Sequence, residues 1–279
     1  MLALAPAYQT HLDGETTDLA TCWRITRWDG LVFGFTDHLV DLTVSGQLYQ
    51  AALGYSATDV QTSADLAVDN LELQGWLDSP SITEVDLMAG RWDHADIEIF
   101  EVIYSSVSTG IRRLRRGRIG EVSMGRTVFQ AELRGIAQAF SRVIGELTSP
   151  TCRADLGEPR CGVVLGPLTV TGTVTSVTSA RLWADSARAE AAAYFSFGVV
   201  TWTSGANNGF KMEIKTHGAS GVMTMALPMP YAIAVSDTYS LVPGCDKLLA
   251  TCIAKFNNVI NFQGEPHLPG MDAVLRGPA

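Results

Sequence analysis

Five cysteines are the residues of this 279-residue chain best suited to chemistry, and four of them fall into two pairs. Cys152 and Cys161 stand in SPTCRADLGEPRCGV with eight residues between them, and Cys245 and Cys252 stand in PGCDKLLATC with six. Most of the second half of the chain lies between the pairs. If the pairs meet in space, that half is a β-rich domain stapled at its base by a four-cysteine site. Cys22 is far from both pairs and reads as a small core residue.

The spacing narrows the chemistry. Zinc ribbons draw their ligands from knuckles two to four residues apart, because each pair must reach one small ion. The wider gaps here suit an iron–sulfur cube better, since its irons sit at separate corners and four thiolates are its usual ligands. Zinc, two disulfides, or four unconnected buried thiols remain open alternatives. In one continuous helix Cys245 and Cys252 would share a face but stand about 10.5 Å apart along the axis. Pro243-Gly244 instead predicts a loop at Cys245, with Asp246 capping a helix over Lys247–Phe256 that carries Cys252. Pro150, Pro159 and Gly162 flank the other pair, and such residues let backbone N–H groups approach sulfur.

Length allows one large domain or two modest ones, with a core that needs no staples. A net charge of -9 argues against bulk attraction to nucleic acid. No run of about 18 apolar residues occurs, so no spanning helix is expected. The N-terminus MLALAPAYQTHLDGE lacks a basic segment and its apolar run is too short for a signal peptide. Synthesis and assembly in the cytoplasm are expected, where thiols stay reduced and grouped cysteines read as metal ligands before disulfides.

The elements that must position these residues are mostly strands. A helix is predicted over residues 9–22. Hairpins follow around Asp29-Gly30 (22–27 with 31–36) and Ser45-Gly46 (39–44 with 47–49). Residues 66–75, 96–104, 111–124 and 127–133 read as strands, and 81–89 as a short helix with Ser81 as N-cap and Glu84 completing a capping box. Leu133, Ile136, Ala137, Phe140, Ile144 and Leu147 follow helical spacing, so a helix near 133–148 closes a first module, 1–149. The second module, 150–279, is predicted to have strands at 168–177, 194–202, 210–217, 221–227 and 237–241, a turn at 204–209, and one or two helical turns at 187–193. The fold class is mainly β (α+β).

Other constellations are weaker. Arg112, Arg113, Arg115, Arg116 and Arg118 crowd one hairpin arm, as a solvated tip, a patch for nucleic acid, or a subunit-contact patch, with subunit contact favoured. His94 lies between Asp93 and Asp96, and His38 follows Asp37; both read as hydrogen-bonded turn residues. No nucleophile elbow, Walker loop or H-E-x-x-H occurs. A cysteine peptidase is the competing class, with Cys22, Cys152 or Cys161 as nucleophile and His217 or His267 as base.

The stretch Gly244-Cys245-Asp246-Lys247, then Cys252, Lys255-Phe256-Asn257-Asn258 and Asn261-Phe262-Gln263-Gly264-Glu265-Pro266-His267-Leu268-Pro269-Gly270 resembles the C-terminal end of the minor tail protein L family of lambda-like phages. It is more similar to relatives in alphaproteobacterial prophages and gene transfer agents. Trp23-Arg24-Ile25-Thr26-Arg27 with Asp29-Gly30, Gly34-Phe35-Thr36-Asp37-His38 and Asp86-Leu87-Met88-Ala89-Gly90-Arg91-Trp92-Asp93 resemble the N-terminal module of the same family, so the likeness covers nearly the whole chain. It implies a baseplate hub at the tail tip of a virion or phage-like particle. It further implies a homotrimer of two tube-like β modules per chain, a distal tail protein ring above, and a larger tip or fibre protein below. DNA would pass through the lumen without specific binding, and a tail-tip peptidase is a further expected partner. It also implies a [4Fe–4S] cluster on Cys152, Cys161, Cys245 and Cys252, with zinc as the alternative, in a structural rather than an enzymatic role.

Overall fold

A computed structural model describes residues 4–51, 56–57, 70–76, 82–124, 128–135 and 145–268. The chain divides into two compact units, Met1–Val143 and Ile144–Ala279. Both are mainly β, with few and short helices among the described residues.

The first unit contains helix α1 (Pro6–Leu12), strands β1 (Leu19–Thr26), β2 (Val32–Thr36), β3 (Leu42–Val44), β4 (Gln47–Ala51), β5 (Ser56–Ala57) and β6 (Asn70–Trp76), helix α2 (Glu84–Met88), and strands β7 (Asp96–Ile103), β8 (Ile111–Met124) and β9 (Val128–Arg134). Their order is β3-β4-β2-β1-β7-β8-β9-β6-β5. All pairings are antiparallel except β2 with β4. The central strands are covered on both faces. Trp23, Ile25, Ile97 and Ile99 pack into one apolar cluster, while Cys22, Ala20, Phe100 and Val102 pack into another on the opposite face. Strand alternation sends neighbours such as Cys22 and Trp23 to opposite sides, so β1 and β7 carry apolar residues on both faces.

Two of the sequence stretches singled out above meet beside the first cluster. Arg27 is buried between the rings of Phe33 and Trp92, 5.5 Å from each centroid. It bonds Asp29 and reaches Asp86 at 3.6 Å, while Arg91 reaches Asp29 at 3.5 Å and Asp86 at 3.4 Å. Two cations and two carboxylates thus compensate one another at the edge of an apolar core.

The second unit contains β10 (Val170–Thr173), β11 (Ser176–Val177), β12 (Leu182–Ala184), β13 (Val199–Trp202), β14 (Lys211–His217), β15 (Val222–Met225), β16 (Thr238–Val242) and helix α3 (Leu249–Phe256). The order is β10-β16-β13-β14-β15-β12-β11, antiparallel throughout. The two ends of that order are successive pieces of one extended segment. Val174 donates to the Asp237 carbonyl and Thr175 to the Ala184 carbonyl, both at 2.9 Å. One stretch therefore pairs with β16 on one side and β12 on the other, and the sheet curls into a barrel. The bulge between Ile214 and Thr216 bends β14 where the curl requires it. Trp183, Trp202 and Tyr239 fill the interior, with Trp183 ring centroids 5.4 and 4.8 Å from the other two.

Several expectations change. The helix over 9–22 stops at Leu12, because Asp13-Gly14 ends it, and residues 19–26 are strand β1. Thr83, not Ser81, caps α2, its hydroxyl accepting the Asp86 N–H at 3.2 Å; Ser81 lies outside the described residues. The helix near 133–148 falls largely outside them too, at 136–144, while Leu133 and Arg134 belong to β9 and 145–149 are coil. Residues 187–193 form turns and bends rather than a helix. Residues 194–198 form a turn before β13, where Phe197 takes a left-handed φ of 66°.

Candidate metal centre

The register of β10 against β16 explains how the cysteine pairs meet. Val170 pairs with Leu241, so the chain entering β10 and the chain leaving β16 lie side by side at one end of the barrel. Cys152 and Cys161 lie on the incoming segment and Cys245 and Cys252 on the outgoing one. The two segments then hydrogen-bond directly. Cys152 N–H donates to the Lys247 carbonyl at 2.8 Å and Arg153 N–H to the Gln263 carbonyl at 3.1 Å. All four cysteines line a single cleft, together with Ala154, Leu156, Val163, Phe256 and Phe262.

Helix α3 begins two residues later than expected. Lys247 takes a left-handed φ of 64° and cannot belong to it. Asp246 still acts at the start, accepting the Leu248 N–H at 3.0 Å and the Thr251 hydroxyl at 2.8 Å. Cys245 precedes the helix in a loop, and Cys252 is buried on it. The helix stops at Asn257, whose left-handed φ of 47° lets the Asn258 N–H return to the Cys252 carbonyl at 3.1 Å.

That stop turns the Asn258 side chain onto the site. Its amide donates to the Cys161 carbonyl at 2.6 Å and lies 3.8 Å from Cys161 Sγ. The Gln263 N–H donates to Cys152 Sγ at 3.4 Å, and the Lys247 N–H faces Cys245 Sγ. Donors aimed at sulfur stabilise thiolate over thiol. Burial, followed by the fields of Cys152, Cys245 and Cys161, pushes the Cys252 thiol above its ordinary pKa. Burial also raises Cys245, partly offset by the Lys247 N–H. The neighbouring sulfurs thus oppose proton loss from Cys245 and Cys252. A bound cation would remove that penalty, so the donor set fits a metal group. Among the described residues, no three His, Cys, Asp or Glu side chains are gathered tightly enough for one metal ion.

The comparisons with known proteins agree with this architecture. Residues 5–164 match the family described as baseplate hub protein, N-terminal attachment domain. Residues 193–272 match a family described as phage conserved hypothetical protein BR0599. A solved chain in the virion of a native gene transfer agent (GTA) particle is 33% identical, with a TM-score of 0.90 over 98% of this chain and 96% of that one. No curated protein matches. The chain belongs to the phage baseplate hub protein family. It is a structural component of the baseplate of a phage or gene-transfer-agent particle.

The other candidate residues of this hub protein fall elsewhere. Cys22 sits in the first unit, fully buried, 3.6 Å from the Thr36 hydroxyl, its pKa pushed up to about 11 by burial. His217 is buried against Phe195 inside the barrel, with ring centroids 5.0 Å apart. Among the described residues, no histidine lines the cysteine cleft. His38 bonds the Val40 carbonyl at 3.1 Å, in the turn role expected of it. The arginines lie along strand β8 rather than at a hairpin tip. Arg112 pairs with Glu101 at 3.3 Å, Arg113 with Glu98 at 2.7 Å and Arg118 with Asp96 at 3.2 Å, all acids of β7.

Sequence reasoning did not assign roles to Lys247, Lys255 and Asn258. A signal was present: Lys255 is the one cation in the apolar helix LATCIAKF, one turn beyond Cys252 and so on the same face.

Proposed function

We propose that this hub protein joins the end of the tail tube to the distal tip, and that Cys152, Cys161, Cys245 and Cys252 hold a [4Fe–4S] cluster that staples its second module. The observation that supports this reading is the meeting of four free cysteines, from segments more than eighty residues apart, on one cleft with N–H donors directed at sulfur. When bound, the cluster supplies metal–thiolate bonds that turn ligand binding into folding free energy. The chain's own residues orient those thiolates, with Cys161 and Cys252 buried and Cys152 and Cys245 partly so. Zinc is the alternative occupant.

The assembly belongs to the same proposal. Three chains form a trimer, with two β modules each, beneath a distal tail ring and above a larger tip or fibre protein, and DNA passes through without specific binding. The arginine strip serves subunit contact. Arg116→Gln should weaken association with an acidic ring while leaving the melting temperature of the isolated chain nearly unchanged.

Two measurements test the reading. Protein purified without oxygen should contain about four irons and four sulfides per chain and show a broad visible charge-transfer band. One zinc without sulfide would replace the cluster by a single ion, and no metal would remove the staple. Light scattering should give three times the chain mass; a monomer in the presence of the distal ring protein would overturn the trimer.

A further inference from the structure

The helix that carries Cys252 also carries a cation turned toward the chain just before Cys245. Lys255 Nζ donates to the Gly244 carbonyl at 2.7 Å and to the Tyr194 carbonyl. It lies 4.4 Å from the centroid of the Tyr194 ring. The Tyr194 carbonyl also accepts the Gly244 N–H at 3.2 Å. Gly244 is pressed onto the turn before β13 so closely that a Cβ there would stand 1.5 Å from the Ser196 carbonyl oxygen. One ammonium thus ties together the barrel turn, the residue preceding Cys245 and the helix bearing Cys252.

Its charge is equally informative. The contacts of Lys255 within the described residues are two carbonyls and the faces of Tyr194 and Phe256, with no carboxylate bonded to it. Burial lowers its pKa, with Cys245 and Asp246 pulling the other way. A part-buried cation held only by carbonyls is costly unless an anion stands near. Asp246 supplies part of that anionic field, and four thiolates around iron–sulfur or zinc, which carry net negative charge, would supply the rest.

We infer that Lys255 is the positioning residue of the cysteine site: it sets the Cys245 loop against the Cys252 helix and supplies positive charge to a thiolate-bound metal group. The second part rests on the cluster reading above. Lys255→Met keeps the stem and removes the charge, and Lys255→Arg keeps the charge. Near-ultraviolet circular dichroism of Trp183 and Trp202 reports whether the barrel is intact in each.

With cluster bound, Lys255→Met should release iron to a chelator about 10- to 100-fold faster than the parent. Its reduction potential should fall, because loss of a nearby positive charge disfavours the more negative reduced state. Lys255→Arg should return the potential toward the parent value. A cluster-loaded Lys255→Met protein with unchanged release and potential would overturn the inference and leave the cluster reading standing. If the parent binds neither iron nor sulfide, the cluster reading fails, and alkylation of Cys245 by iodoacetamide in metal-free protein decides the rest. Faster alkylation in Lys255→Met supports the positioning role, and an unchanged rate overturns it.

Discussion

Arg153 grips Glu265 through two parallel bonds, Nη1 to Oε2 at 2.7 Å and Nη2 to Oε1 at 2.9 Å, across 112 positions of the chain. The same Oε2 accepts the Ser149 N–H at 2.9 Å, and the Glu265 N–H returns to the Ser149 carbonyl at 2.8 Å. The pair closes a clasp around Cys152, whose sulfur accepts the Gln263 N–H two residues away from Glu265. Fork-to-fork geometry fixes orientation as well as distance, which a lysine at position 153 would not do.

The clasp should make stability depend on acidity. The Arg153 bond, helped by the Ser149 N–H, holds the Glu265 carboxyl down at about 2, against an ordinary 4.5. A lowered folded pKa contributes stability that is present above 4.5 and lost as pH falls toward 2. Urea unfolding between those values should show the parent losing stability more steeply than Glu265→Gln. Equal slopes would remove Glu265 from the account.

If the four cysteines hold the proposed cluster, Cys245→Ser or Cys252→Ser should abolish metal binding and open the second unit to protease before the first. Cleavage mapped by mass spectrometry should fall in the segments around residues 150–166 and 243–262. Cys22→Ala should leave metal content unchanged and cost about 1–2 kcal/mol, as removal of a small buried group does. Equal protection of both units in the Cys245 variant would count against a staple.

The barrel interior has its own polar anchor. Tyr239 donates to Asp185 Oδ2 at 2.6 Å, with both side chains buried. Burial, together with the adjacent Asp185 carboxylate, pushes the phenol well above its ordinary pKa. Tyr239→Phe leaves that carboxylate one donor short and should cost about 1–3 kcal/mol in urea unfolding.

In the first unit, Arg27→Met should cost about 2 kcal/mol. Asp29 keeps Arg91 and is partly solvated, which holds the loss below that of a fully buried broken pair. Adding Asp86→Asn should cost less in this background than alone, since the two residues belong to one network.

How much of this was legible in the sequence follows the range of the forces involved. Asp29-Gly30 and Ser45-Gly46 announced their hairpins because a left-handed turn is a local demand, met at Gly30, Ser45 and Gly46. The strands with alternating residues were likewise readable. Strand β12 was missed because three residues carry no period. The helix at 9–22 was overread because polar spacing looked helical beyond the break at Asp13-Gly14. The cysteine types and spacing suggested a shared site, but their meeting depends on the pairing of Val170 with Leu241, a long-range register that no local pattern encodes. Lys255 escaped notice because its partners are carbonyls, which every residue has.

That same register ties the cleft to the barrel. The pairing of β10 with β16 that closes the sheet also lays the incoming and outgoing cysteine segments side by side. A substitution that loosens the seam should therefore be felt at the cleft, and one that loosens the cleft should be felt at the seam, because neighbours that share one set of bonds do not vary independently.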